Sequence, residues 1–548
     1  MKMIARAFGG PAFFAFGMLC AACVFAAPAW AAASAKPATY FVRTDGGDAH
    51  QCTGRADAAY PGRGSAKACA WKHPFFALPP GGKPRIAGGD TLMIGAGDYM
   101  LGYGAAGAAQ GGDACDGNWR WDCHMPPVPS GPSADMKTRI LGSGYATGCR
   151  AAPTLWGTER ADEVIDLQGS SNVEIACLEI TDHSDCIEQH VDPAVRCERD
   201  KTPYGAWAVS GIVASASHDV VLRDLDIHGL AHSGIHAGGL RDWTLERVKI
   251  NGNGWAGWDG DIGDGSANAG DIVMRDIEIA WNGCAERWKT RELHGCWAQE
   301  GGGYGDGLGT AKTGGRWLIE RARVHHNTSD GIDLLYLDGG ADSSATLRQV
   351  YAAANAGNQI KTRGAMLVEN SVVVGQCAYF KGHDSVRDGD LCRAEGNALS
   401  IELTAGRVAT IRHNTIAGEG DCLILTEAGT ATSRVEIQDN ALIGYPDFRA
   451  GDGELTCGHY AERSAARVSF SGNAFWNVKD GQCPSGNLCD RDPKLKNMRL
   501  AAFDPTPLPD SPLIDRASGK PSSASDFYSH PRSIGRNADI GAVERQRH

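Results

Sequence analysis

Short apolar stretches recur along most of this chain, each with polar residues at alternate places. They centre on Val173-Glu174-Ile175, Val220-Val221-Leu222, Trp243-Thr244-Leu245, Ile272-Val273-Met274 and Trp317-Leu318-Ile319. The series continues at Thr346-Leu347, Leu367-Val368, Thr410-Ile411, Val435-Glu436-Ile437 and Val468-Ser469-Phe470. Most are followed by Asn or Gly turns and a second short strand. Uninterrupted steps are roughly 21 to 29 residues long, and longer steps carry insertions such as 284–303 and 376–396. Alternation marks strands, and helical repeats would instead show apolar residues at three-four spacing. A unit this small buries its apolar face only by stacking on its neighbours. The pattern therefore predicts an all-β fold, a right-handed parallel β-helix of about ten coils with N-terminal and C-terminal caps. Aliphatic residues stack inward and their neighbours project outward.

The register carries the chemistry. Ile319-Glu320-Arg321-Ala322-Arg323-Val324 and Leu347-Arg348-Gln349-Val350-Tyr351-Ala352 occupy the same place in successive repeats. Carried forward, this sets Asp330-Gly331-Ile332-Asp333 over Asn358-Gln359-Ile360-Lys361, with Asp306-Gly307-Leu308-Gly309 one coil earlier. Equivalent positions in stacked strands lie about 4.8 Å apart. Asp306, Asp330 and Asn358 then form one ladder, and Gly309, Asp333 and Lys361 a second beside it. Carboxylates this close repel one another unless a cation is present.

Four segments follow from the pattern: a signal peptide over 1–31, an N-terminal strand, cap and cysteine-bearing loop over 32–160, the β-helix over 161–480, and a terminal rung and cap over 481–548. The signal has Lys2 and Arg6, an apolar run to Ala27 and small residues around Ala29 and Ala31. No later stretch is apolar enough to span a membrane. The expectation is a secreted protein, extracellular or periplasmic. Of 18 cysteines, two fall inside the signal. The rest suit disulfides, with staples read at Cys186/Cys197, Cys284/Cys296, Cys377/Cys392 and Cys483/Cys489. A zinc site is disfavoured because paired CxxC motifs are lacking. The net charge of −12 argues against a nucleic-acid partner. It would also repel a polyanion, unless a divalent cation and local basic groups intervene.

Any one Asp-Gly pair is ordinary turn chemistry, and a lone strand lysine is ordinary surface. Their stacking suggests more. Asp306, Asp330 and Asp333, with Ser329 beside them, offer the oxygen donors calcium requires. A nearby cation and partial desolvation lower a lysine pKa, which makes Lys361 a candidate base. Arg363 alternates with Lys361 and is a candidate carboxylate clamp. Asp259 and His236 fall in the same register two and three coils before Asp333, as candidate substrate contacts, with Asp261 and Asp264 near. His325 and His326 precede Asp330. Trp255, Trp258, Trp281, Trp288 and Trp297 are candidates for stacking on sugars or for packing.

The motifs GDGLGTAK, NTSDGIDLLY and GNQIKTRG, in that order and spacing, resemble the family-nine polysaccharide lyases, pectate-lyase-like parallel β-helices. The likeness extends to GGDTLMIGAGDY and, less specifically, to the closing DIGAVE. The resemblance implies a calcium ion on Asp306, Asp330 and Asp333, with Lys361 as Brønsted base. Ser329 stands where the family pattern has a further aspartate. It implies β-elimination on an acidic polysaccharide, pectate or another uronan, by a monomer. A glycoside hydrolase, a uronate epimerase and a non-catalytic carbohydrate-binding β-helix are the rival readings on this fold.

Overall fold

The structure, a computed structural model, describes residues 36–262, 267–297, 304–340, 342–380, 386–387, 392, 396–445, 457–478, 483–519 and 523–546. The signal segment 1–31, Asp264 and the Cys377 side chain lie outside them.

Alternation decides what goes inside. Leu308, Ile332, Ile360 and Leu399 are register partners on four successive coils, and all are fully buried. Each such burial contributes about 1.5–3 kcal/mol. Trp243, Trp258 and Trp317 fill a wider part of the core and meet edge to face. The residues between these inward positions project outward. Ten parallel strands built this way form the sheet that carries the site: Ala161–Asp166, Ala208–Ser215, Ser233–Gly238, Ala256–Gly260, Leu308–Thr310, Ile332–Leu334, Ile360–Arg363, Leu399–Leu403, Cys422–Ala428 and Cys457–Glu462. Two further stacks of parallel strands complete each coil, for example Arg316–Glu320 and Arg323–His325. The chain is an all-β parallel β-helix. Its only helices among the described residues are short 3-10 turns.

Buried amides hold the corners between strands. Asn253, Asn282, Asn327 and Asn355 stack on successive coils, each donating its side-chain amide to the carbonyl oxygen of the next at 2.8–3.0 Å. The same oxygens accept the backbone N–H of the preceding asparagine at 3.0–3.2 Å. Gln359 closes the row. A second row runs through Asn414, Asn440, Asn473 and Asn487. The turns that look merely polar in sequence are thus an interior feature, since a buried amide must find partners.

Parallel pairing begins well before residue 161: Thr39–Gly47 pairs with Thr91–Ile94, then Thr138–Gly142, then Ser171–Asp182. The tail does not simply close the end. Leu513, Ile540, Ala542 and Val543 pack sideways on Val372, Val374, Ala417 and Ala441. Gln349 and Asn370 donate to the carbonyls of Asp526 and Ser525, and the Thr415 hydroxyl accepts the Ala542 N–H. Apolar side chains on the outer face of these coils require cover, and the tail supplies it.

Disulfides join Cys186 to Cys197, Cys284 to Cys296 and Cys483 to Cys489, as the spacing suggests. Others join Cys52 to Cys69, Cys115 to Cys123, Cys149 to Cys177 and Cys422 to Cys457. No helix among the described residues is long and apolar enough to cross a membrane.

Candidate active site

The site forms because outward residues on successive rungs line up. His236 pairs with Asp259, Asp259 with Gly309, Gly309 with Asp333 and Asp333 with Lys361. A cleft of about 320 Å³ lies over this row, lined by Asp259, Asp261, Asp306, Asp333 and Lys361, with Trp255 and Tyr336 among its walls. Four carboxylates therefore face one ammonium within the cleft.

Beside this row runs a ladder of turn side chains. Asp306 Oδ1 accepts the Asp330 N–H at 3.0 Å, and Asp330 Oδ1 accepts the Asn358 N–H at 2.7 Å. Asn358 and Asn397 continue it to the Cys422 N–H. One oxygen of Asp306 and one of Asp330 thus tie the backbone together, and the other oxygen of each remains for chemistry. The glycine after each aspartate lets the coils close: a Cβ on Gly331 would meet the Gln359 carbonyl at 2.5 Å.

Lys361 Nζ donates to Asp330 Oδ2 and to Asp333 Oδ2, each at 3.1 Å, with its side chain 14% exposed. Burial alone would lower its pKa, but the two carboxylates push it above the usual lysine range. The aspartates that offer oxygen donors for a cation thus also hold the ammonium. The carboxylates repel one another. Burial, together with Asp330 and Asp333, raises Asp306 to about 8, although a hydrogen bond from Ser329 opposes the shift. Burial and Asp330 raise Asp333 to about 6, against the pull of Lys361.

Asp259 and Asp261, one coil before Gly309, and His236, two coils before it, form a second group whose nearest polar atoms lie within 4.8 Å of one another. The Asp259 side chain is 11% exposed and Asp261 62%. His236 Nε2 lies 3.5 Å from Asp261 Oδ1 and 3.8 Å from Asp259 Oδ2, and Ser233 Oγ donates to Asp259 Oδ2 at 3.4 Å. Burial and a hydrogen bond with Asp261 raise Asp259 to about 7. Hydrogen bonds from His236 and Asp259 lower Asp261 to about 2.

The structure gathers Asp306, Asp330, Asp333, Ser329 and Lys361 as the register foretells, with Asp259 and His236 further along. Arg363 does project on the same side as Lys361, but it is paired with Glu402 at 2.8 Å. His325 and His326 lie outside the cleft, His325 paired with Glu278. Trp258 is fully buried, and Trp281 stacks on His326. Trp288 stacks on His183, and Trp297 meets Tyr304 edge-on. Of the five tryptophans, Trp255 and Trp258 line the cleft, Trp258 from the core side. Tyr336 was not singled out from sequence. Tyr336 ends the NTSDGIDLLY stretch, where a large exposed aromatic beside the aspartates was the available signal.

No family model matches this chain, and no curated protein matches it. Among solved structures it is similar to pectate lyase Pel9A, at 12% identity over 93% of this chain and 97% of that one, with a TM-score of 0.39. It is also similar to XylC in complex with xylose, at 10% identity over 92% and 98% of the two chains, TM-score 0.42. The A-module of the Azotobacter vinelandii mannuronan C-5 epimerase AlgE4 matches at 11% identity over 69% and 88%, TM-score 0.35. Likeness this remote leaves the chemistry to be read from the site.

Proposed function

We propose that this chain is a secreted lyase that cleaves a uronate-containing polysaccharide, pectate foremost, by β-elimination with Lys361 as the base. The observation that carries this reading is the Lys361 ammonium set between Asp330 and Asp333 on the floor of an open cleft. A buried lysine poised at a cleft is a proton-transfer group, and the proton it suits is the weakly acidic one on C5 of a uronate. The disulfides among the described residues support export to an oxidising compartment.

A calcium ion fits the donor chemistry. Asp306, Asp330 and Asp333 provide carboxylate oxygens, and their number exceeds the single ammonium among them. Their oxygens do not yet gather as closely as those of the Asp259 group. Ser329 adds a hydroxyl to Asp306. When bound, calcium supplies positive charge that neutralises both these carboxylates and the uronate carboxylate. The chain does the rest. Lys361, released from its two partners, gives its own proton to solvent, and the neutral amine then takes the C5 proton on its lone pair. The C–H electrons form the C4–C5 double bond and the bond from C4 to the leaving oxygen breaks. Trp255 and Tyr336 offer aromatic faces on which neighbouring sugars stack. Arg363 is held by Glu402, so its part in substrate binding requires that pair to open.

The test is absorbance of the conjugated unsaturated uronate on polygalacturonate, with calcium or chelator, for the wild type and Lys361→Ala. A rise that needs both calcium and Lys361 is expected. Reducing ends without absorbance would replace the reading with hydrolysis, and no product on any uronan would replace it with binding alone.

A further inference from the structure

Gly309 leaves a notch in the outward row. Asp259 stands on the rung before it and Asp333 on the rung after it. Gly309 contributes no side chain of its own, and the Asp306 carboxylate lies over its rung, with Oδ2 2.6 Å from where a Cβ would stand. With rungs about 4.8 Å apart, roughly 10 Å separates the Asp259 and Asp333 backbones, and both side chains line the same cleft. Lys361 belongs one rung further on but reaches back, its Nζ 3.1 Å from Asp333 Oδ2. The notch is therefore bounded by a candidate base on one side and by a buried carboxyl on the other.

That carboxyl is placed unlike its neighbours. Among the described residues no lysine or arginine forms an ion pair with Asp259, whose nearest polar partners are Ser233, His236 and Asp261. His236 Nε2 lies 3.5 Å from Asp261 and 3.8 Å from Asp259, so the two carboxylates share one imidazole and the more exposed Asp261 is the nearer to it. Burial and Asp261 favour the neutral, proton-bearing form of Asp259 near neutral pH. Elimination from a uronate needs such a group, because a sugar alkoxide is a poor leaving group until it is protonated.

We infer that Asp259 is the general acid that delivers a proton to the departing 4-oxygen, across the Gly309 notch from Lys361, with His236 and Asp261 as positioning residues. This rests on the lyase reading above. The step balances: Lys361, as the neutral amine, gains the C5 proton, the C–H pair becomes the C4–C5 π bond, and the C4–O pair leaves on oxygen. That oxygen takes the Asp259 proton, and Asp259 ends as a carboxylate that solvent reprotonates.

The experiment compares two substrates, polygalacturonate and a uronide bearing 2,4-dinitrophenolate at C4, which leaves without protonation. Asp259→Asn is expected to lose about 10²–10⁴-fold on the polymer and to stay within a few-fold of wild type on the dinitrophenyl compound. Equal losses on both, or no loss on the polymer, would overturn the assignment. Because the variant must fold, the wild type supplies an independent readout: a solvent deuterium isotope effect on the polymer that vanishes on the dinitrophenyl substrate. An isotope effect of the same size on both would also overturn it. A wild-type enzyme that forms neither unsaturated sugar nor dinitrophenolate sinks the lyase reading itself. Dinitrophenolate release with an unchanged Asp259→Asn polymer rate sinks only the acid.

Discussion

His228 Nδ1 lies 2.7 Å from Glu286 Oε1, and the two side chains are each only 4% exposed. The histidine belongs to the sheet strand His218–His228, the glutamate to an insertion closed by the Cys284–Cys296 disulfide. Glu179 accepts at the other ring nitrogen at 3.0 Å. One buried imidazolium therefore ties the insertion to the helix.

Burial alone would lower the His228 pKa, but its two glutamate partners outweigh that and raise it from 6.5 to about 9. A raised histidine pKa stabilises the fold fully below pH 6.5, and the contribution is lost as pH rises through 9. The His228 hydrogen bond lowers Glu179 from 4.5 to about 2, so its contribution is complete above 4.5 and lost as pH falls through 2. The melting temperature should therefore fall between pH 6.5 and pH 9.5. Glu286→Gln should flatten that decline and cost about 3–5 kcal/mol at pH 6, the scale for breaking a buried pair. An unchanged slope in the variant would show that the pair does not set the alkaline limit.

Asp306 behaves in the opposite sense. Its folded pKa stands above the unfolded value, so the native state holds a proton that the unfolded state releases between pH 3.8 and about 8. Without calcium, Asp306→Asn should melt higher than wild type at pH 8, with the gap closing towards pH 4. The same variant should lose most of any calcium-induced rise in melting temperature. A variant that melts lower than wild type at pH 8 would mean that Asp306 matters chiefly for the Asp330 N–H it accepts.

Lys361→Arg separates charge from base. Arginine preserves positive charge beside Asp330 and Asp333 but does not give up its proton. Melting temperature should stay within a few degrees of wild type, while turnover falls about 10²–10⁴-fold, the usual contribution of a general base. Retained turnover would remove Lys361 from the chemistry.

Asn327 occupies the middle of the buried amide row and accepts from Asn282 while donating to Asn355. Asn327→Leu leaves the amide groups above and below without partners, which costs about 1–3 kcal/mol for each buried group left unpaired. A chemical-denaturation midpoint equal to wild type would show that the row is dispensable.

Much of this was legible because the repeat period and strand alternation are local properties. Ile319 over Leu347 is enough to set Asp333 beside Lys361, since parallel register carries along the chain once one rung is known. Where the tail docks was not legible, although the need for cover is visible locally. Val372-Val373-Val374 is a continuous apolar run, and a continuous run signals burial on both faces. What covers its outer face, Leu513, Ile540, Ala542 and Val543, is more than a hundred residues distant in sequence and has no period linking it to that rung.

The sequence by itself determined the coil, the inward side chains and which polar residues share a rung, because backbone geometry imposes those relations on any chain with this pattern. Only the tertiary structure decided how charges pair: that Arg363 belongs to Glu402, that Lys361 is clamped by two aspartates, and that His236 sits closer to Asp261 than to Asp259. Register fixes which backbones are adjacent. The direction of a long side chain, and hence its charge partner and its pKa, depends on burial and on the summed field of several coils at once.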